Sequence, residues 1–210
     1  MALSDWIQQF NVGDNFLDDS RSFEGSSSLR MKYVDATMAY IWPPSRPSSD
    51  SPAEGRLETR TYIEDDTGTA AGFIFRANNE YVDGTDSTDH YFAWFGWDNN
   101  RNEFKFQVDS YAGRGPRWPN DNYRTIAPDA SDFANQWTPY RIDFWVDEND
   151  DLRIQAFHDS DLSGSWTLVN DVDIVDTNPR QPNGGGMGFG SDSSVESNND
   201  VWYEESKVYY

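Results

Sequence analysis

The chain has 210 residues, 36% of them hydrophobic, and a formal net charge of -21 from 37 acidic residues against 16 basic ones. It has no cysteine, which excludes disulfides, thiolate metal sites and cysteine nucleophiles. Such a charge argues against nucleic acid or an anionic membrane as partner, since both are polyanions, and no stretch approaches the roughly 20 apolar residues of a membrane span.

The residues that supply the charge are informative. The acids are 27 Asp and 10 Glu, and the bases are 13 Arg and only 3 Lys, at Lys32, Lys105 and Lys207. Short carboxylates hold water and cations in concentrated salt, whereas the apolar stem of Lys is poorly solvated there. At molar ionic strength the Debye length is about 3 Å, so the self-repulsion of such a chain is screened. This composition predicts a halophilic protein, from an archaeon of saline waters or a virus of such a host. The apolar residues are weighted to rings, with 9 Trp, 11 Tyr and 13 Phe. Each buried ring removes about 150–250 Å² from water, enough to build the core of one β-rich domain over residues 1–210.

Period-two alternation dominates and helical periodicity is almost missing. Residues 1–22 form an N-terminal segment whose start has neither the basic nor the apolar region of a signal peptide. Strands are predicted at 27–34 and 37–42, followed by a Pro/Ser loop at 43–54 and strands at 56–64 and 70–77. A strand at 91–97 and another at 103–109 are joined by the turn-forming run 98–102. In the second, Phe104, Phe106 and Val108 alternate with Glu103, Lys105, Gln107 and Asp109. Residues 113–138 read as a long loop excursion. Strands at 140–146 and 152–157 form a second hairpin across 147–151, with Tyr140, Ile142, Phe144 and Val146 alternating with Arg141, Asp143 and Trp145. Strands at 165–169, 186–190 and 201–209 complete the chain, whose final residues are expected to be paired within a sheet. About ten short strands at this spacing predict an all-β, two-sheet antiparallel sandwich.

Three groups of segments carry a resemblance. They are Phe23-Glu24-Gly25-Ser26-Ser27-Ser28-Leu29-Arg30-Met31; then Gly72-Phe73-Ile74-Phe75-Arg76-Ala77 with Tyr91-Phe92-Ala93-Trp94-Phe95; then Trp137-Thr138-Pro139-Tyr140-Arg141-Ile142 with Gly185-Gly186-Met187-Gly188-Phe189 and Val201 to Val208. In this order they resemble the concanavalin A-like lectin/glucanase superfamily, in its laminin-G-like branch, over residues 20–210. The resemblance implies a jelly-roll sandwich, a fold that hosts lectins, hydrolases, adhesion modules and capsid-associated domains. Glu204 and Glu205 stand where that pattern usually has Asp-Asn.

Four groups of residues are candidates for chemistry. Asp171, Asp173 and Asp176 keep the spacing of the glucanases' E-x-D-x-x-E motif, whose outer carboxylates lie about 5–5.5 Å apart in retaining enzymes. Both glutamates are aspartate here, the motif falls late in the chain, and 27 Asp make chance spacing common; a strand edge with acids toward solvent is the preferred reading. The two histidines, His90 and His158, lie two or more strands apart, leaving little material for a triad or zinc site. Asp83, Asp86 and Asp89 concentrate oxygen donors suited to calcium, although a solvated halophilic loop explains them more simply. The last group is aromatic. Sugars stack their C–H faces on rings while carboxylates and amides take the hydroxyls. Tyr91, Trp94, Trp97 and Asp98 cluster on one strand, and Trp118, Asp121 and Tyr123 share the 113–138 excursion. Trp145 falls on the polar parity of its strand, where a subunit interface is the favoured role.

Together these readings predict a non-catalytic binding or assembly module. The favoured setting is the virion surface, as a turret, decoration or tail-associated component that forms homo-oligomers, docks on other virion proteins and contacts host glycans. A cellular lectin and a glucanase-type glycoside hydrolase are the alternatives.

Overall fold

The computed structural model describes residues 7–9, 15–24, 27–32, 39–42, 54–64, 69–77, 90–98, 103–111, 116–117, 123–127, 133–169, 173–179, 186–193 and 200–209. Every helix or strand among them is a strand. The first sheet has the order β1 (Ile7–Gln9), β4 (Ala39–Trp42), β15 (Gly186–Ser193), β6 (Thr69–Ala77), β7 (His90–Asp98), β8 (Glu103–Tyr111), β10 (Tyr123–Ala127), with β9 (Pro116–Arg117) also on β8. The second runs β13 (Thr167–Leu168), β12 (Leu152–His158), β11 (Trp137–Val146), β5 (Gly55–Ile63), β16 (Asp200–Tyr209), β3 (Ser28–Lys32), β2 (Asn15–Asp18), with β14 (Ile174–Asp176) also on β12. All pairings are antiparallel.

Both predicted hairpins form. β7 and β8 pair from His90 opposite Tyr111 to Asp98 opposite Glu103. β11 and β12 pair from Tyr140 opposite His158 to Val146 opposite Leu152. The second turn is closed by Asp147: its N–H donates to Asp151 O at 2.9 Å, and its Oδ1 accepts from Asn149 N at 2.9 Å. Asp150 takes the left-handed conformation, φ 63°, that short polar side chains tolerate.

Three expectations are corrected. The 113–138 stretch is not simply a loop, because β9 and β10 pair with β8 and extend the first sheet. The N-terminal segment contributes β1 to one sheet and β2 to the other. The single late strand is two fragments, β13 and β14, each paired to β12. These pieces are two to five residues long, too short for alternation to show above background. The closing strand pairs through Tyr209, opposite Arg56, as expected.

The core lies between the sheets and is largely aromatic. Phe73 and Phe75, Tyr91 and Phe95, Phe104 and Phe106, and Phe189 face Tyr140, Ile142, Phe144, Leu57 and Tyr203. Rings stack across the gap, Phe95 on Tyr140 at 4.2 Å and Phe75 on Phe144 at 4.7 Å. Polar bonds cross it as well, and one group lies at its centre. The fully buried Tyr203 hydroxyl accepts from Gly72 N at 3.1 Å and donates to Gly190 O at 2.5 Å, clasping the seam between β6 and β15. Burial pushes the phenol's pKa upward, so it remains a donor.

The outer face of the second sheet shows what Arg does in place of Lys. Arg56 and Arg141 both grip Asp143, and Arg153 bridges Asp147 and Asp173. Arg21 lies 4.3 Å above the Tyr62 ring and Arg60 3.7 Å above that of Phe23. A planar guanidinium pairs bidentately with carboxylates and lies flat on rings, whereas an ammonium acts as a point charge.

Candidate functional site

In the first sheet, residues directly opposite one another share a face. Tyr91, Ala93, Phe95 and Trp97 of β7 enter the core, so Phe92, Trp94, Gly96 and Asp98 stand on the outer face. Their partners on β8 are Asp109, Gln107, Lys105 and Glu103. The row through Trp94 runs Tyr40, Gly190, Gly72, Trp94, Gln107, Tyr123, so two glycines floor the sheet between aromatic positions.

The polar side chains of this face are locked to one another. The half-buried Trp94 donates its Nε1–H to Asp109 Oδ2 at 2.8 Å, and Gln107 Nε2 donates to Asp109 Oδ1 at 2.8 Å. The Lys105 ammonium donates to Asp98 and sits 4.9 Å from the Trp94 ring centroid. Thr125, opposite Lys105 on β10, donates to Glu103 at 2.7 Å. Lys105 and Asp109 are buried, while Asp98, Glu103 and Gln107 are partly open. Phe92 lies across Gly72: a Cβ added there would come within 2.2 Å of the Phe92 ring. The outcome is a set of partly open groups, Trp94, Asp98, Glu103 and Gln107, fixed by one another and by the buried Lys105 and Asp109.

The aromatic cluster read from β7 is divided by this geometry. Trp94 and Asp98 belong to the outer face. Tyr91 and Trp97, at 0% and 8% exposure, are core residues, because the two-residue period turns them toward the facing sheet. Tyr91 stacks on Phe75 and donates its hydroxyl to Asp176 at 2.7 Å. Asp176 is itself only 3% exposed, on the inward parity of β14. Burial lowers the pKa of the nearby Arg76 guanidinium, against the opposing pull of Tyr91 and Asp176. Arg76 takes φ 51° beside the irregularity where β6 meets β15, a conformation that strains a non-glycine backbone.

Asp176 is therefore an interior anchor. Asp173 instead accepts from Gln155 at 2.9 Å, and its carbonyl accepts from Arg124 at 3.2 Å. Asp171 lies outside the described residues, as do Trp118, Asp121, Asp83, Asp86 and Asp89. The backbone of Tyr123 is placed opposite Gln107. Trp145 is half-buried on the outer face of the second sheet, on the opposite side of the molecule from Trp94. His90 opens β7 and His158 closes β12, in different sheets. Burial lowers the pKa of His158 despite Asp159 and Asp161, and Phe133 meets it edge-on at 5.1 Å. Among the described residues no group of three or more His, Asp or Glu is placed to hold a metal ion.

Lys105, Gln107 and Asp109 were visible only as the polar parity of a strand. The signal that would have found them is the four-residue connection 99–102, which sets Gln107 opposite Trp94 once 91–97 and 103–109 are joined as a hairpin.

No protein-family model matches the chain, and no curated protein matches it in sequence. Solved structures do match in fold. The carbohydrate recognition domain of Emp46p superposes with a TM-score of 0.62 at 10% identity, covering 99% of this chain and 88% of that one. The fold is a two-sheet antiparallel jelly-roll sandwich. The exoplasmic/lumenal domain of VIP36, in a form bound to Ca2+ and Man3GlcNAc, gives 0.60 at 14% identity over 100% of this chain and 84% of that one. The alginate lyase of Aplysia kurodai gives 0.58 at 13% identity over 92% and 86%.

Proposed function

We propose that this protein is a non-catalytic carbohydrate-binding module whose ligand lies across the outer face of the first sheet. The observation that carries the reading is Trp94. Its indole is held at the N–H by Asp109 and on a ring face by Lys105, among carboxylate and amide groups that are partly open. Such a ring offers a stacking surface for the C–H face of a sugar without loss of rotamer freedom on binding. The partly open carboxylates of Asp98 and Glu103 beside the ring favour hydroxyl donors over anionic groups, so the ligand class is neutral oligosaccharide. A neighbour that shares the fold is the VIP36 domain in its Ca2+/Man3GlcNAc-bound form.

The reading assigns no catalytic residue, since Asp176, the one described outer member of the glucanase-like motif, is turned into the core. Asp83, Asp86 and Asp89 are the calcium candidates of this reading, and chelation by EDTA tests them. The setting remains display in many copies on a virion, alone or with other virion proteins, where multivalency raises weak single-site affinity. Peptide mass spectrometry of purified virions tests this part independently.

The binding test is a neutral oligosaccharide panel measured against wild type and Trp94→Ala in molar KCl. Loss of the stacking ring lowers affinity about tenfold or more. The proposal fails if no oligosaccharide binds, or if a folded Trp94→Ala binds as tightly as wild type. Release of unsaturated or reducing ends from alginate or β-glucan would replace it with an enzyme.

A further inference from the structure

The outer face of the second sheet carries a cleft of about 340 Å³, lined by Glu54, Gly55, Arg56, Asp143, Trp145 and Tyr209, with Phe144 beneath. It lies where the start of β5, the end of β11 and the end of β16 meet, on the opposite side of the sandwich from Trp94. The volume is at the lower end of the range for small-ligand pockets, about 300–1,000 Å³.

Its walls are unlike the rest of this face. Elsewhere on it Arg141 packs its guanidinium on Phe157 at 4.2 Å and Arg60 on Phe23 at 3.7 Å. At the cleft, Tyr209 is 45% exposed, Arg56 is 43% exposed at its side chain, and Trp145 is half-buried. Arg56 is held in place all the same: its Nε donates to Asp143 Oδ1 at 2.8 Å and its NH2 to Asp143 Oδ2 at 3.1 Å. Arg141 grips the same carboxylate from the other side. Burial works to raise the Asp143 pKa, but the hydrogen bonds from Arg56 and Arg141 outweigh it and hold the group ionised. Tyr209 is tied by its hydroxyl to Glu58 at 3.3 Å.

The cleft thus combines two aromatic walls with a rigid guanidinium that has spare N–H donors and with Asp143 and Glu54 as acceptors. Within the lining the Asp143 charge is matched by Arg56 and shared with Arg141, which leaves Glu54 as the exposed carboxylate. A neutral ring with apolar C–H faces and a girdle of hydroxyls satisfies all of these at once, whereas a free cation meets Arg56 and a free anion meets Glu54 and Asp143. We infer that this cleft is a second carbohydrate site, sized for one or two neutral pyranose units. The inference stands on this cleft's own geometry and does not depend on the Trp94 face. With sites on opposite sides, one molecule can bridge two glycan chains, and avidity follows from linkage without new contacts.

Saturation-transfer NMR with methyl α-mannoside, methyl β-glucoside and methyl β-galactoside in molar KCl, on wild type, Trp94→Ala, Trp145→Ala and Tyr209→Ala, tests it. The expected result is saturable transfer from at least one pyranoside that survives Trp94→Ala and falls at least about tenfold in affinity in Trp145→Ala and Tyr209→Ala. Tyr209 stands near the open end of the cleft, so its variant keeps the test alive if Trp145→Ala does not fold. No transfer from any pyranoside in wild type overturns the inference, as does transfer unchanged in a folded Tyr209→Ala. Pyranoside binding lost only in Trp94→Ala supports the first face and refutes the cleft. A smaller assembly by light scattering in folded Trp145→Ala or Tyr209→Ala than in wild type would assign the cleft to contacts between copies and overturn it as well.

Discussion

Replacing Tyr203 by Phe removes one oxygen atom from the middle of the protein. That oxygen accepts from Gly72 N and donates to Gly190 O, with no exposure to solvent. The variant keeps the ring and its contact with Phe189 at 6.3 Å, so packing loss is small. What changes is that a buried N–H and a buried C=O lose a partner, each worth about 1–3 kcal/mol when left unsatisfied. The carbonyl has a second lone pair, and the phenol's own desolvation cost disappears, so the lower half of the sum applies, about 3 kcal/mol. For a chain of this length that lowers the melting temperature by about 6–12 °C. Tyr140→Phe is the control: Tyr140 is equally buried, but among the described residues its hydroxyl, near Thr138, has no hydrogen-bond partner. Its removal is expected to change stability by less than about 1 kcal/mol. Urea unfolding at constant molar KCl, followed by tryptophan fluorescence, measures both. Equal costs in the two variants, or no cost in Tyr203→Phe, refute the clasp as an energetic feature.

Gly72→Ala sets a Cβ 2.2 Å from the Phe92 ring and is expected to cost about 3 kcal/mol or more; Phe92→Ala in the same chain should recover part of it, which a double-mutant cycle in urea reads directly. Asp18 is desolvated, which would raise its pKa, but Ser20, Trp202 and Arg30 outweigh this and lower it from 3.8 to about 2. A depressed folded pKa stabilises above the unfolded value and is lost as pH falls, so this contribution is present above pH about 4 and disappears toward pH 2. Asp18→Asn should flatten the urea midpoint against pH within that window, and an unchanged profile would contradict it. Finally, a charge of -21 predicts a melting temperature that falls steadily as KCl is lowered from molar to dilute, monitored by circular dichroism; full thermal stability in dilute buffer would remove the halophilic reading.

Sequence by itself determined the strands in which apolar and polar residues alternate. β11 and β12 are the clear case: Tyr140, Ile142 and Phe144 must share one face and Arg141, Asp143 and Trp145 the other, whichever sheet receives them. It also determined the chemistry of the surface, because a preference for Asp over Glu and Arg over Lys is a property of composition. β7 could not be read in the same way. His90 to Asp98 are apolar or aromatic at nearly every position, since both faces of this central strand are largely shielded, and alternation vanishes. Tyr91, Trp94 and Trp97 therefore look alike along the chain. Only the facing sheet separates them, by stacking Tyr140 on Phe95 and Phe144 on Phe75 and so committing one parity of the first sheet to the core. Tertiary structure likewise decided that Asp176 is an interior partner of Tyr91 and that Arg56, Trp145 and Tyr209 meet in one cleft. Those residues come from three strands far apart in sequence, and register across a sheet is set by long-range pairing that local spacing does not encode.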